Sequence, residues 1–298
     1  MPGSLAGAAQ PLPRAGHPKR PDELRSAQTA PVAYGIIGGH MPEPEQCPGA
    51  FFEWGAAGAE SVCGDVACVV VTDVLSFTTA VAVATERGTE VLPCADAVTG
   101  QTLADETGAS LAVGRHEISS QHPWSLSPAS LADPAKPPPA RLALPSPNGS
   151  AISRAVASAG LPVVAACLRN STAIVRWLLA NGYATASRPI AVIAAGELWR
   201  DGTLRPALED LLSAGLVLHW MAERGVVLSP GAYVAARSVA GLEPAQIAGL
   251  VRASASGVEL RVAGFGEDVE IAAELDADDG IPVLEDLGRT GGFRRRNP

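Results

Sequence analysis

Acidic side chains follow two apolar, β-branched segments of the sequence. Asp73 comes directly after Val66–Thr72 (VACVVVT), and Glu197 and Asp201 follow Pro189–Ala195 (PIAVIAA). Such runs are typical of buried strands, and ligands of open α/β sheets bind beyond the carboxyl ends of the strands. Carboxylates gathered at one such edge can hold Mg²⁺ together with water and substrate phosphate. The pattern favours metal-assisted chemistry, although an Asp at a strand end also serves as a turn or cap residue.

Hydroxyl residues open three of the predicted helices. The three junctions share a hydroxyl residue, an Ala and an apolar residue: Thr79-Ala80-Val81, Ser150-Ala151-Ile152 and Thr172-Ala173-Ile174. The simpler interpretation is N-capping, because Ser and Thr satisfy the first helical N–H groups. Those N–H groups and the helix dipole also attract phosphate, so three helix N-termini at one sheet edge would suit an anionic substrate.

Charged residues near these junctions divide into stronger and weaker candidates. Arg169 lies beside a predicted helix N-terminus, and Arg binds phosphate bidentately, so it is the basic residue that the sequence favours. Arg200 and Arg205 flank the Glu197 loop and are typical of ordinary surface arginines. Glu209 and Asp210 fall in the first turns of a helix, where acids complement the helix dipole.

Predicted strands and helices alternate along most of the chain. The strands are predicted at Val66–Thr72, Val91–Cys94, Leu111–Val113, Arg141–Leu144, Pro162–Ala166 and Pro189–Ala195. The helices are predicted at Thr78–Arg87, Gly100–Thr107, Ser150–Ala159, Ser171–Ala180, Pro206–Arg224 and over most of 230–274. This alternation predicts an α/β fold with a largely parallel sheet and helices on both faces. Eight prolines between 123 and 147 predict an irregular segment there.

Composition limits the class of protein. The chain has 298 residues, 47% of them hydrophobic and 4% aromatic, which excludes wholesale disorder. A net charge of −9 argues against binding to nucleic acid. The sequence contains five cysteines without a C-x-x-C pair, no apolar run long enough to span a membrane and no secretory leader, so we expect a cytoplasmic protein. We expect a disordered tail over 1–30 and one large domain over 31–298, with the repeated junctions indicating an internal duplication.

Five segments carry a resemblance to a known family. They are VVVTDVLSFTTAV (69–81), SPNGSAI (146–152), ACLRNSTAI (166–174), AGELWRDGTLRPALEDLLSAG (195–215) and SASGVELRVAGFGEDVEIAAELDADDGIPVL (254–284). Together and in this order they resemble the 2-phosphosulfolactate phosphatase family. The resemblance implies a three-layer α/β/α fold with a largely parallel or mixed central sheet. It also implies Mg²⁺-dependent hydrolysis of a phosphomonoester on a small sulfonated acid, a reaction of coenzyme M biosynthesis.

The resemblance also implies roles for individual residues. Asp73 matches the family's strand-end Asp, and Glu209 and Asp210 match its Glu-Asp pair, so these three are expected to hold Mg²⁺. Glu197 or Asp201 is then a further ligand or the general base, which makes them catalytic candidates beside Asp73. The residues expected to bind the anionic substrate are Thr78, Thr79, Asn148, Gly149, Ser150, Arg169, Asn170, Ser171 and Thr172.

The sequence departs from the family's usual pattern at three places. The family usually has Arg at the position of Ser76 and a Gly-Glu-Arg motif near Gly114-Arg115-His116, and its Asn-Ser-Pro segment is present only as Leu126-Ser127-Pro128. These departures favour a second hypothesis, a catalytically silent relative that binds an anionic metabolite. A third is another metal-assisted enzyme of small hydroxy acids, such as a lyase. Direct attack by water, a covalent Asp intermediate and a homo-oligomer all stay open.

Overall fold

The computed structural model describes residues 47–297. The predicted tail over 1–30 lies outside these residues, as does the first part of the predicted domain. Within the described part of the chain, no helix combines the length and the apolar character that a membrane span requires.

Eleven strands and eleven α-helices make up residues 47–297. The strands are β1 Ala50–Trp54, β2 Cys68–Thr72, β3 Glu90–Cys94, β4 Ser110–Leu111, β5 Arg141–Pro145, β6 Val163–Ala166, β7 Ile190–Ala194, β8 Glu197–Leu198, β9 Leu204–Arg205, β10 Ile281–Leu284 and β11 Arg294–Arg296. The helices are α1 Gly55–Val62, α2 Phe77–Glu86, α3 Ala97–Thr107, α4 Pro128–Ala132, α5 Gly149–Ser158, α6 Ser171–Ala180, α7 Leu208–Ala222, α8 Pro230–Arg237, α9 Pro244–Ala253, α10 Ala255–Val262 and α11 Gly266–Ala272.

The main sheet is mixed, with the strand order β1-β7-β2-β6-β10-β11. β1, β7, β2 and β6 run parallel, whereas β10 is antiparallel to β6 and β11 is antiparallel to β10. Successive side chains of a strand face opposite sides of the sheet. Accordingly, Val69 and Val71 of β2 pack with α1, α2 and α5, while Cys68 and Val70 pack with α6, α7 and α8. Helices therefore cover both faces of this sheet, and the predicted α/β fold is confirmed.

A second sheet, which the sequence did not reveal, contains β3, β5 and β4 in parallel. Leu142 and Leu144 of β5 pack with α2 and α5, and Ala143 packs with Leu103 of α3 on the other face. α2 and α5 thus lie between the two sheets. The individual strands were predicted correctly, but local hydrophobic runs do not indicate which strands share a sheet.

The proline-rich segment contains a short helix, α4, as well as the strand β5 near its end. α4 begins with Pro128 and is capped by Ser127, whose Oγ accepts a hydrogen bond from Ser130 N at 3.2 Å. Proline is tolerated in the first helical turn because the N–H that it lacks would have no helical partner there. The prediction of an irregular segment was wrong for these five residues.

Candidate active site

The ends of three parallel strands bring the candidate site together. Asp73 follows β2, and Glu197 follows β7 after two residues, Ala195 and Gly196. Asn148 and Gly149 follow β5 at the start of α5. Gly149 N donates a hydrogen bond to Asp73 Oδ2 at 2.8 Å. Asn148 Nδ2 donates to Glu197 Oε2 at 2.9 Å. Residues from both sheets thus meet at the carboxyl ends of their strands.

Asp73 is buried and held by backbone N–H groups. Its Oδ1 accepts from Phe77 N at 3.2 Å, while Oδ2 accepts from Gly149 N. Burial raises the pKa of Asp73, although these two hydrogen bonds act in the opposite direction; the nearby Glu209 raises it further and Arg115 lowers it. The hydroxyls of Thr78 and Thr79 donate to the carbonyls of Asp73 and Val74, each at 2.8 Å. The Thr pair therefore fixes the turn that carries Asp73.

Gly149 approaches Asp73 so closely that no other residue fits. A Cβ at this position would lie 2.7 Å from Asp73 Cβ, from Asp73 Oδ2 and from Phe77 Cδ1. We expect Gly149→Ala to lower the free energy of unfolding by about 1–3 kcal/mol, as overpacking usually does. Urea denaturation measures this effect.

Gly249→Ala in α9 is the matched control, because a Cβ there meets no atom within 4 Å. We expect this variant to be as stable as the wild type or more stable, since Ala favours a helix over Gly by up to about 1 kcal/mol. Equal stability of the two variants would contradict the close approach of Gly149 to Asp73.

Glu197 has the pKa of a group that exchanges protons near neutral pH. Burial and the charge of Asp73 raise its pKa to about 7, whereas the Asn148 hydrogen bond and Arg205 lower it and Glu209 raises it. Arg205 lies opposite Glu197 in the β8–β9 hairpin and is bound to Glu259 of α10 at 3.0 and 3.3 Å. Only one oxygen of Glu197, Oε2, is engaged by Asn148.

Two acids at the start of α7 complete the carboxylate cluster. Asp210 is buried and accepts from Val74 N at 2.7 Å and from Gly196 N at 2.9 Å, so it ties the end of β2 to the end of β7. Burial, Asp73 and Glu209 raise the pKa of Asp210 well above its usual value. Glu209 is only 2% exposed, and its carboxylate forms neither a hydrogen bond nor an ion pair with any residue of 47–297.

The donor set of this cluster suits Mg²⁺. Its donors are carboxylate oxygens: the charges of Asp73 and Glu209 raise the pKa values of Glu197 and Asp210, and Glu209 has no partner within the described residues. No group of three or more His, Cys, Asp or Glu side chains in residues 47–297 is arranged to hold a metal ion by itself. Mg²⁺ is usually held by one or two carboxylates together with water and substrate phosphate.

Asp73 and Glu197 of the cluster line a cleft of about 320 Å³, whereas the buried Glu209 and Asp210 are not among its lining residues. Its polar lining includes Asp73, Ser76, Arg115, Asn148, Glu197 and Glu259, and its apolar lining includes Leu126, Leu260 and Ala263. The volume lies at the lower end of the range for small-molecule sites, about 300–1,000 Å³. The cleft therefore fits a small ligand.

The known proteins that resemble this chain bear on the role of this cleft. The family model described as 2-phosphosulpholactate phosphatase matches residues 59–286. The chain belongs to this family. A probable 2-phosphosulfolactate phosphatase of Deinococcus radiodurans is 31% identical over 146 residues, which are 48% of this chain and 56% of that protein. The chain thus aligns with little more than half the length of this relative.

The places where this chain departs from the usual residues of the 2-phosphosulfolactate phosphatase family lie together. Arg115 Nη2 donates to Ser76 Oγ at 2.6 Å, and Arg115 Nε pairs with Asp268 Oδ2 at 3.0 Å. Ser127 Oγ donates to Asp268 Oδ1 at 2.5 Å, and the neighbouring Leu126 lines the cleft. Ser76, Arg115 and Leu126 line the cleft, and Ser127 and Asp268 are linked to Arg115 by these hydrogen bonds. We call these five residues the Arg115 wall.

Sequence reasoning missed Arg115 and gave Arg205 too little weight. Arg115 belongs to a segment that was noted only as a departure, and its place in the cleft depends on Asp268, a residue 153 positions away. The position of Arg205 opposite Glu197 in a β-hairpin could have been predicted from the sequence, because the Asp201-Gly202 dipeptide between them is typical of hairpin turns.

The residues predicted around the start of α6 do not line the cleft. Arg169 pairs with Glu86 at 3.5 Å and with Glu274. Thr172 N and Oγ1 donate to Asp276 at 2.9 and 2.6 Å, so a carboxylate of the chain itself occupies this helix N-terminus. Substrate binding by these residues stays a prediction, and their position outside the cleft lining does not support it.

Four other predicted residues serve as local supports. Asn170 Oδ1 accepts from Cys167 N at 2.9 Å, and Ser171 Oγ donates to Cys167 O at 3.0 Å. Ser150 Oγ donates to Leu144 O at 3.1 Å. The exposed Asp201 accepts from Thr203 N at 3.0 Å and lies in the hairpin turn, outside the cleft lining. The catalytic role predicted for Asp201 likewise stays a prediction.

Proposed function

We propose that the protein is a Mg²⁺-dependent phosphatase of small anionic phosphomonoesters, a phosphoric monoester hydrolase. The first candidate reaction is conversion of 2-phosphosulfolactate to sulfolactate and phosphate. Membership of the family supports this proposal. The observation that carries it is the meeting of Asp73, the Asn148–Glu197 pair and the start of α5 in one small cleft.

The charge of the cleft explains why an anionic substrate would need a cation there. The charge of Glu209 raises the pKa of Asp73, and the charges of Asp73 and Glu209 both raise the pKa of Glu197. The two arginines nearest to them are already paired, Arg115 with Asp268 and Arg205 with Glu259. A bound divalent cation would neutralise the carboxylates and polarise a phosphoryl oxygen.

Asp73 and Glu209 would hold the Mg²⁺, and Asp210 would support them from behind. Glu209 has an unengaged carboxylate, and the oxygens of Asp73 each keep a free acceptor site beside their backbone hydrogen bond. Both oxygens of Asp210 are bound to loop N–H groups, so its main task is to fix the strand ends.

Glu197 is suited to move the proton. In the proposed reaction the oxygen of a water molecule bonds to phosphorus, and its proton passes to Glu197 Oε1. The bond from phosphorus to the ester oxygen breaks, and that oxygen receives a proton from Glu197. A pKa of about 7 suits both halves of this cycle, because the group accepts and releases protons readily near neutral pH.

Mg²⁺ is expected to raise the melting temperature of the wild-type protein. A ligand that binds only the folded state stabilises it by about 2.7 kcal/mol at a hundredfold excess over Kd. Glu209→Gln should abolish most of this rise, because it removes the carboxylate that has no other partner. Differential scanning fluorimetry with increasing Mg²⁺ measures the effect.

Glu223→Gln is the matched control, since Glu223 is an exposed acid at the other end of α7. This variant should keep the whole rise. The same rise in Glu209→Gln as in the wild type would exclude Glu209 as a Mg²⁺ ligand.

The altered Arg115 wall favours one alternative, a relative that binds an anionic metabolite without turnover. Tight binding of 2-phosphosulfolactate with no release of phosphate, with or without Mg²⁺, would support this alternative over the phosphatase.

We also propose that the protein acts in the cytoplasm. All five cysteines lie within residues 47–297 and are free, which agrees with a reducing compartment. A role in coenzyme M biosynthesis follows only if 2-phosphosulfolactate is the substrate. The net charge of −9 gives no support for a nucleic-acid partner.

A further inference from the structure

We propose that Arg115 binds an oxyanion of the substrate and that Asp268 positions Arg115 for this task. The inference rests on the proposed function for the identity of the substrate, but the binding itself is testable without turnover. By binding the substrate, Arg115 makes the Arg115 wall the part of the cleft that determines which substrates this protein prefers.

The guanidinium group of Arg115 is fixed but not fully used. Its Nε pairs with Asp268, its Nη2 donates to Ser76 Oγ, and its Cζ lies 5.5 Å from the centre of the Phe265 ring. Its Nη1 makes no hydrogen bond to another residue of 47–297. The side chain is 17% exposed and lines the cleft, so this remaining donor is available to a ligand.

Asp268 is built to hold one side chain in place. It is 1% exposed, and besides Arg115 it accepts from Ser127 Oγ at 2.5 Å and from Ala129 N at 3.1 Å. These bonds join α11, α4 and the Arg115 segment at one point. A guanidinium held in this way loses little further freedom when it binds an oxyanion, which strengthens binding.

Arg154, which is half-buried like Arg115, shows what a purely structural role looks like. Arg154 donates to the carbonyl oxygens of Pro93, Gly288 and Gly291 and does not line the cleft. Arg115 differs because it faces the same cleft as Asp73, and it is close enough to lower the pKa of that carboxyl, which burial raises. The position of Arg115 in the same cleft as Asp73, a proposed Mg²⁺ ligand, is the reason to assign it a role in ligand binding.

The test is equilibrium binding of two probes, inorganic phosphate and sulfoacetate, measured by calorimetry in the presence of Mg²⁺. Sulfoacetate carries a sulfonate and a carboxylate but no phosphate, so the two probes separate a phosphoryl site from a site for the other acidic groups. Arg115→Ala should weaken the binding of at least one probe tenfold or more. Arg115→Lys keeps the charge but loses the planar fork, and it should weaken the same probe to a smaller extent.

Asp268→Asn tests the positioning role. It should weaken the same probe as Arg115→Ala, and the double variant should bind no worse than Arg115→Ala alone, because the two residues act as one unit. A lower melting temperature of Asp268→Asn with unchanged probe affinity would show a structural role only and would overturn the positioning claim. Arg252→Ala, which breaks an exposed pair with Glu270, is the matched control and should leave both affinities unchanged.

Each result decides one of the two proposals. If the wild type binds neither probe, or if Arg115→Ala binds both as tightly as the wild type, the Arg115 inference is wrong. If the wild type binds a probe through Arg115 but hydrolyses no phosphomonoester, the proposed phosphatase function is wrong and the Arg115 inference stands.

Discussion

Asp73→Asn is expected to lower the turnover number for phosphate release by about a thousandfold, the scale of losing a main electrostatic element of an active site. The carboxylate lies at the end of β2 and is held by Phe77 N and Gly149 N, and its pKa is raised by the charge of Glu209 and lowered by that of Arg115. Asn removes the negative charge that would hold Mg²⁺ while keeping nearly the same shape. Steady-state release of inorganic phosphate measures the loss.

The folding of this variant needs its own measurement. The amide Nδ2 of an Asn at position 73 would face one of the two backbone N–H groups, and an unmade buried hydrogen bond costs about 1–3 kcal/mol. A melting curve therefore accompanies the kinetics. Asp65→Asn, at an exposed acid in the turn after α1, is the matched control and should keep full activity. A folded Asp73→Asn protein with wild-type turnover would show that the reaction does not take place at this cleft.

Glu197→Gln is expected to lower turnover by about 10²–10⁴-fold, as removal of a general base usually does. The pH profile should change as well. The pKa of Glu197 is about 7 without metal, and Mg²⁺ bound at Asp73 would lower it by cancelling a charge that raises it. The wild-type rate should therefore fall as the pH decreases below 7, where the base becomes protonated. The residual activity of Glu197→Gln should lack this fall. Turnover measured from pH 5.5 to 8.5 tests both expectations.

Stability provides an independent readout of the same group. The folded-state pKa of Glu197 is raised above the ordinary value of 4.5, so the folded protein binds more protons than the unfolded chain between these two values. The contribution of Glu197 to stability is therefore lost as the pH rises towards 7. Glu197→Gln should remove this part of the pH dependence when Mg²⁺ is absent.

Two variants sharpen the assignment to Glu197. Asn148→Ala removes the hydrogen bond that lowers the pKa of Glu197, so it should move the acid limb of the profile to higher pH. Glu60→Gln, at an exposed acid of α1, should leave the profile unchanged. If the rate of Glu197→Gln still falls as the pH decreases, another group is responsible for that fall.

The core of the site was predictable because it depends on a local rule. Asp73 and Glu197 follow β-branched runs, and the Asn148-Gly149 turn follows a third strand. Parallel strands place their carboxyl ends at one edge, so residues just beyond them are brought together without knowledge of the strand order. In the structure these residues meet, although Asn148 and Gly149 follow a strand of the second sheet, which this rule does not cover.

The same rule did not bring Arg169 and Thr172 to the cleft. Asp276, 104 residues further along the chain, binds the start of α6 at Thr172, and Glu86 and Glu274 pair with Arg169. A carboxylate so distant in the sequence produces no recognisable pattern in the residues around Arg169 and Thr172. Arg115 depends on its distant partner Asp268 in the same way, and the second sheet depends on strand pairings that hydrophobic runs do not encode.

The most direct test of the account is hydrolysis of 2-phosphosulfolactate by the wild-type protein in water enriched with heavy oxygen, with Mg²⁺ and with a chelator in its place. The account predicts Mg²⁺-dependent formation of sulfolactate, with the heavy oxygen found in the inorganic phosphate. An unchanged ester in the presence of Mg²⁺, full turnover in the chelator, or heavy oxygen in the sulfolactate would contradict it.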